Sequence, residues 1–180
     1  EIEALGFRAY GQRFEFTHTI AAILAEYSSK TGEELEASRV TVKIAGRIET
    51  VRRMGKAGFT HLQQAGERLQ AYIKKDAVSE AEYSLWQLLD LGDVVGVEGY
   101  LFRTRTGELS VHAEHLTFLS KNLLGVPEKY HGLEDVEIRY RQRYLDLIAN
   151  PDVHKTFQTR AKVVRSFRQQ LEARGFVEVE

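Results

Sequence analysis

Between Val40 and Leu119 apolar and polar residues alternate in short runs, and one helical run interrupts them after the third. A period of two is the mark of a strand with one buried side and one wet side. In VTVKIAGRI, Val40, Val42, Ile44 and Ile48 share one side, with Thr41, Lys43 and Arg47 on the other. In the second run Thr60 and Leu62 oppose Phe59, His61 and Gln63; in the third Leu69, Ala71 and Ile73 oppose Gln70, Tyr72 and Lys74. Ser79 to Leu89 is helical, with Ser79 and Glu82 spaced as a capping box. The last two runs are Val94–Arg103 and Leu109–Leu119, and a change of parity between Ala113 and Leu116 places a bulge near Glu114. Three strands, a helix and two strands is the order of the OB-fold, a five-stranded Greek-key barrel, whereas a sandwich usually needs about seven strands. The fold class expected is therefore mainly β with flanking helices (α+β), built on an OB-fold barrel.

Such barrels bind across strands two and three, flanked by the loops joining strands one and two and strands four and five. The first of these lies in VRRMGKAGFTHLQQ, Val51 to Gln64. It is no phosphate-cradling P-loop: Ala57 follows Gly55-Lys56 where Ser or Thr is needed, and no glycine stands five positions before Gly55. Arg52, Arg53 and Lys56 are read into this loop, and Arg103 and Arg105 into the second, which gathers possible phosphate contacts at one rim. Between them lies an outward face of Phe59, His61, Gln70 and Tyr72. Rings stack on unpaired bases, amides read base edges and cations hold phosphates, so the face suits single-stranded nucleic acid. Gly55 and Gly58 are read as turn residues. A strand aromatic such as Phe59 or Tyr72 serves packing as readily as stacking. His112 and His115, three apart on a strand, should face opposite ways, and no metal site is expected.

Twenty-five basic and 26 acidic residues leave a formal charge of −1, so affinity for nucleic acid has to come from a local patch. The absence of cysteine excludes disulfides and thiolate metal sites and fits a reducing compartment. No apolar run nears the roughly 18 residues of a membrane span, and Glu1 to Arg8 lacks the marks of a signal peptide. The expectation is a soluble, cytoplasmic protein with no membrane partner. The start without Met and the stop in mid-pattern at Val179-Glu180 read as part of a longer protein.

Residues 1–38 form an N-terminal helical segment, with a helix over Thr17–Tyr27 capped by Thr17 or Thr19, and residues 39–122 the barrel. Residues 123–150 are a linker with a helix, carrying Val136, Tyr140, Tyr144 and Leu147 at helical spacing and closed by Pro151. A last helix, Thr156–Ala173, bears a stripe of Phe157, Val164, Phe167 and Leu171, ends at Gly175, and gives way to GFVEVE, which reads as a strand.

Three stretches, MGKAGFTHLQ, DLGDVVGVEGYLFRTRTGELSV and above all PEKYHGLEDVEIRYRQRYLDLI, resemble the bacterial-type class II lysyl-tRNA synthetases, collinearly from about Glu34 onward. GFVEVE resembles the opening of class II motif 1, which would make residues 151–180 the start of the catalytic domain. The resemblance implies a barrel that reads the anticodon of tRNA(Lys), with Phe59 as platform for the central uridine and Arg52, Gln70 and Glu108 as its hydrogen-bonding partners. It also implies a homodimer, whose interface would include the Phe157–Leu171 stripe, and an enzyme that joins lysine to tRNA with ATP and magnesium. The motifs for that chemistry lie beyond Glu180 in the family, so this stretch is expected to bind, to hold no catalytic residue and to carry no cofactor. Gln64 stands where the family usually has Asp, Arg53 where an apolar residue is common, and Gly125-Val126 where Pro-Leu is typical. A free-standing single-strand binder and an aspartyl or asparaginyl relative are the alternatives.

Overall fold

The structure, a computed structural model, describes residues 1–8, 10–11, 13–125 and 133–179. Most of the PEKYHGL stretch and the final Glu180 lie outside the described residues. The chain divides into two compact units, Glu1–Gly125 and Val126–Glu180.

In the first unit, α1 (Ile20–Tyr27) is capped by Thr19, whose hydroxyl accepts from the Ala22 N–H at 3.2 Å. A second helix, α2 (Gly32–Ser38), was not foreseen; the reciprocal Thr31–Glu34 capping box that starts it is legible as T-x-x-E. Seven residues with one buried side chain, Leu35, are too few to show a helical period. The strands are β1 (Thr41–Met54), β2 (Ala57–Gln64), β3 (Glu67–Lys74), β4 (Val94–Arg103) and β5 (Leu109–Ser120), with α3 (Glu80–Leu88) between β3 and β4. They close a barrel in the order β1-β2-β3-β5-β4, with β3 and β5 parallel and the other pairs antiparallel. The expected inward residues line it: Val42, Ile44, Ile48, Leu62, Leu69, Ala71, Ile73, Val111 and Ala113 are buried, β4 adds Val95 and Val97, and α3 adds Leu85 and Trp86 to the core. The expected Ser79–Glu82 capping box starts α3.

Strand β1 runs six residues past Ile48, the end of the alternation read from the sequence. The register with β2 passes from Ile48↔Leu62 to Thr50↔His61, leaving Glu49 as an inserted residue. A bulge reverses parity, so beyond it Thr50 and Arg52 face outward while Val51 and Arg53 take the inward parity. Arg52 and Arg53 are therefore strand residues, and the connection to β2 is only Gly55-Lys56, with Gly55 at φ 60°. Gly58 is not a turn residue but a point of close approach. A Cβ there would lie 2.2 Å from the Arg52 carbonyl oxygen and 2.4 Å from the Trp86 ring. The bulge expected near Glu114 is present, between Gly99↔Ala113 and Glu98↔His115. It puts His112 and His115 on the same outer side, correcting the expectation that they oppose. They still serve different neighbours, His112 among Tyr72, Tyr100 and Phe102 and His115 beside Glu82 at 3.3 Å.

In the second unit the expected single helix is two, α4 (Val136–Arg141) and α5 (Arg143–Ala149), broken at Gln142. Val136, Tyr140 and Tyr144 are exposed, and the buried side chain is Asp146. Arg139, Arg143 and Asn150 all donate to its carboxylate, so this segment is organised by a polar cluster rather than by an apolar stripe. Pro151 opens α6 (Pro151–Glu172) instead of closing the helix before it, in keeping with proline's fit to the first helical turn. Gly175, at φ 85°, ends α6, and the Phe176 N–H returns to the Leu171 carbonyl. Residues 176–179 form no strand, since among the described residues none pairs with them to make a ladder.

Candidate nucleic-acid interface

The register of the barrel sets side chains from neighbouring strands in two outward rows. Arg52, Phe59, Tyr72 and His112 are successive cross-strand partners on β1, β2, β3 and β5, and His112 pairs on to Tyr100 of β4. Two residues along each strand, Thr50, His61, Gln70 and Ser110 form a second row in the same way. Two residues of strand span roughly 7 Å, so one row offers a flat surface and the next reaches its edge.

The first row is a run of rings. Phe59 lies 4.9 Å from Tyr72, Tyr72 lies 5.3 Å from His112, and His112 stacks on Tyr100 at 4.8 Å with an interplanar angle of 7°. The Arg39 guanidinium covers Tyr100 at 4.8 Å. Burial holds the His112 pKa below that of an ordinary histidine, so this ring is a neutral packing element. Tyr100 and His112 are thus spent on each other and on Arg39. Phe59 stands at the other end of the row, half-buried, opposite an exposed Arg52.

The second row is polar and closed on itself through Glu108. The Gln70 amide donates to Glu108 Oε2 at 2.8 Å, and the Ser110 hydroxyl donates to Gln70 Oε1 at 2.9 Å. His61 Nε2 lies 3.0 Å from Glu108 Oε1, and its Nδ1 lies 2.7 Å from the Thr50 hydroxyl. Gln70 is only 8% exposed while the Glu108 side chain is 47% exposed, so a fixed amide backs an accessible carboxylate. Phe59, Gln70 and Glu108 are brought together here, with Arg52 across from Phe59.

The cations separate into two kinds. Arg53, at the inward parity, donates to the carbonyls of Trp86 and Leu89 at 2.9 and 2.7 Å, where the end of α3 leaves carbonyls unpaired. Arg103 donates to the carbonyls of Lys30, Ser28 and Gly107, tying the α1–α2 connection to the β4–β5 turn. Both were read as phosphate contacts, and both spend donors on backbone carbonyls. Lys56 and Arg105 are exposed on the two turns. Those turns do not share a rim: Lys56 lies beyond Ala57↔Lys74, and Glu108 at the end marked by Gln70↔Ser110, so the loops flank the face from opposite ends. Thr50, Ser110 and the role of His61 were missed from the sequence, although the alternation had put His61 on the outer side.

No helix among the described residues is long and apolar enough to cross a membrane. Residues 42–119 match the anticodon family of OB-fold nucleic acid binding domains, and residues 135–180 match the class II tRNA synthetases of the D, K and N group. The lysine–tRNA ligase of Bacillus cytotoxicus is 50% identical over 175 residues, covering 97% of this chain and 35% of that protein. That of Halalkalibacterium halodurans is 48% identical over 179 residues, covering 99% of this chain and 36% of the relative. The chain thus spans about a third of the length of these curated relatives. Along nearly its whole length this chain is similar to lysine–tRNA ligases, and it carries an OB-fold match followed by a class II synthetase match.

Proposed function

We propose that this chain grips the anticodon loop of a lysine tRNA, with the central uridine lying on Phe59 and its edge read by Glu108, Gln70 and Arg52. The observation that carries the reading is the pair of rows: a ring at the end of an aromatic row, and a carboxylate fixed at two oxygens by the adjacent polar row. A uracil edge presents one N–H between two carbonyls. The Glu108 carboxylate accepts from that N–H, and the second Gln70 amide hydrogen and Arg52 donate to the carbonyls. Cytosine turns a lone pair toward the carboxylate and is rejected, because polar groups are left unpaired at the point of contact. Lys56 and Arg105 are the side chains left to meet phosphates.

The same reading makes the chain the RNA-gripping part of an enzyme that joins lysine to tRNA with ATP and magnesium. Among the described residues no group of three or more His, Asp or Glu side chains is placed to hold a metal ion. On this reading, what the chain contributes is RNA binding and orientation. The stripe of Phe157, Val164, Phe167 and Leu171 on α6, with Phe167 68% exposed, is the surface offered for a second copy of the chain. Exposed apolar stripes of this kind associate, and sedimentation over a range of concentration tests it.

The anticodon reading is tested by titrating the chain with stem-loops that carry uridine, cytidine or adenine at the central anticodon position. Uridine should bind tightest, and Glu108→Ala and Gln70→Ala should narrow the gap. Equal binding of all three loops would overturn the assignment and favour an unselective single-strand binder.

A further inference from the structure

We infer that His61 is a positioning residue for base selection, acting through Glu108 and not by touching the RNA. The inference rests on the anticodon reading above.

Glu108 sits at the end of an exposed turn, where a carboxylate would ordinarily swing among rotamers. It is held instead from two sides. One oxygen accepts from Gln70 at 2.8 Å and the other from His61 at 3.0 Å, which fixes the plane of the group. Each donor is itself oriented from behind. Ser110 donates to the Gln70 carbonyl oxygen, so the Gln70 amide nitrogen faces Glu108. Thr50 stands 2.7 Å from His61 Nδ1. An ionised carboxylate only accepts, so His61 Nε2 carries hydrogen; in the neutral ring Nδ1 then accepts, and the Thr50 hydroxyl donates to it. Thr60, from the inner face, donates to the Thr50 carbonyl at 2.7 Å and ties that residue to β2. The result is a clamp in which donors converge on Glu108 from β1 and β2 on one side and from β5 and β3 on the other. Both nitrogens of His61 are occupied by protein, so the ring has no polar atom left for a base.

The test compares wild type with His61→Phe, His61→Gln and Thr50→Val by fluorescence anisotropy, on stem-loops with uridine, cytidine or an abasic site at the central position. His61→Phe keeps a ring and loses the donor; its uridine-to-cytidine affinity ratio should fall by roughly ten- to 150-fold, the worth of one hydrogen bond to a charged group. The loss should come from weaker uridine binding, with the abasic loop unaffected. His61→Gln carries an N–H at similar reach and should restore most of the ratio, and Thr50→Val should lose part of it. In the heteronuclear spectrum His61→Phe should also shift the Gln70 side-chain amide signals, while most backbone signals stay in place. Weakening of all three loops by the same factor would make His61 a packing residue and overturn the inference. So would an unchanged ratio in His61→Phe, or, where that variant fails to fold, in Thr50→Val. An unchanged ratio alongside a wild-type preference for uridine refutes this inference alone. Absence of any preference in wild type refutes the anticodon reading and takes this inference with it.

Discussion

Replacing Phe59 by alanine separates the two roles an aromatic strand residue can have. If the ring is a base platform, its loss removes one base–aromatic stack, worth about 1–3 kcal/mol, which is roughly five- to 150-fold in Kd. The cost to folding is of another origin. Phe59 is half-buried on the outer side, and its ring meets Tyr72 at 4.9 Å with a 39° tilt, a pair worth about 0.5–1.5 kcal/mol. The inward positions beside it, Thr60 and Leu62, keep the core. Phe59→Ala should therefore lower Tm by a few degrees and leave the barrel folded. A core role would instead cost about 3–5 kcal/mol of stability. The assay is a cycle of wild type and Phe59→Ala against stem-loops with a central uridine and a central abasic site. Stacking predicts coupling between the two changes: the substitution weakens the uridine loop and leaves the abasic loop nearly alone. Equal weakening of both loops, or an unfolded variant, would refute the platform role.

Charge reversal at Lys56 should reduce the slope of log affinity against log salt by about one, whereas reversal at Arg53 should leave the slope and lower Tm, since Arg53 donates to the end of α3; titrations at several salt concentrations with parallel melts decide it. Gly58→Ala should destabilise the barrel by about 1–3 kcal/mol or more, because its Cβ would meet the Arg52 carbonyl and Trp86; a denaturant midpoint equal to wild type would contradict this. In the second unit, burial pushes the Asp146 carboxyl up, but the bonds from Asn150 and Arg139 and the charges of Arg139 and Arg143 outweigh it, so its pKa lies below the ordinary carboxylate value. A depressed folded-state pKa contributes stability that is present above the unfolded value, about 3.9, and lost as pH falls through the folded one. Amide signals of α5 should therefore weaken only as pH falls below the unfolded carboxylate value, and Asp146→Asn should show that loss of order already at neutral pH; α5 signals in Asp146→Asn that match wild type at neutral pH would refute it.

The inner face of the barrel was legible because burial imposes a period of two, and that pattern survives in Val42, Ile44, Leu69, Ala71 and Ile73. The Ser79–Glu82 box and the bulge at Glu114 were legible for equally local reasons. What was not legible depended on parity or partners at a distance. The run Glu49-Thr50-Val51 ends an alternation unless one residue is inserted, so β1 stopped too early on paper and Arg52 and Arg53 fell into a loop. Arg103 reads as a surface cation until the carbonyls of Ser28 and Lys30 are brought to it from more than 70 positions away. Phe59, Gln70 and Glu108 were named for the site; the link through His61 to Thr50 was hidden, because it joins side chains whose shared row exists only once the strands are in register.

The inserted Glu49 explains why the site can exist at all. Because side chains alternate strictly, a slip of one residue sends a whole strand to its other face. Continuing the parity of Val42, Ile44 and Ile48 without interruption would turn Thr50 and Arg52 toward the core. The bulge hands the inward parity to Val51 and Arg53, and Arg53 there meets the carbonyls of Trp86 and Leu89 while staying exposed to solvent. Its second consequence is that Arg52 arrives opposite Phe59 and Thr50 opposite His61. The other bulge lies at Glu114, beyond His112, so the parity that sets Ser110 and His112 on one side of β5 is undisturbed. Both rows are therefore fixed by the hydrogen-bonded ladder of the barrel, and only Glu108, on the turn, needs side chains to hold it.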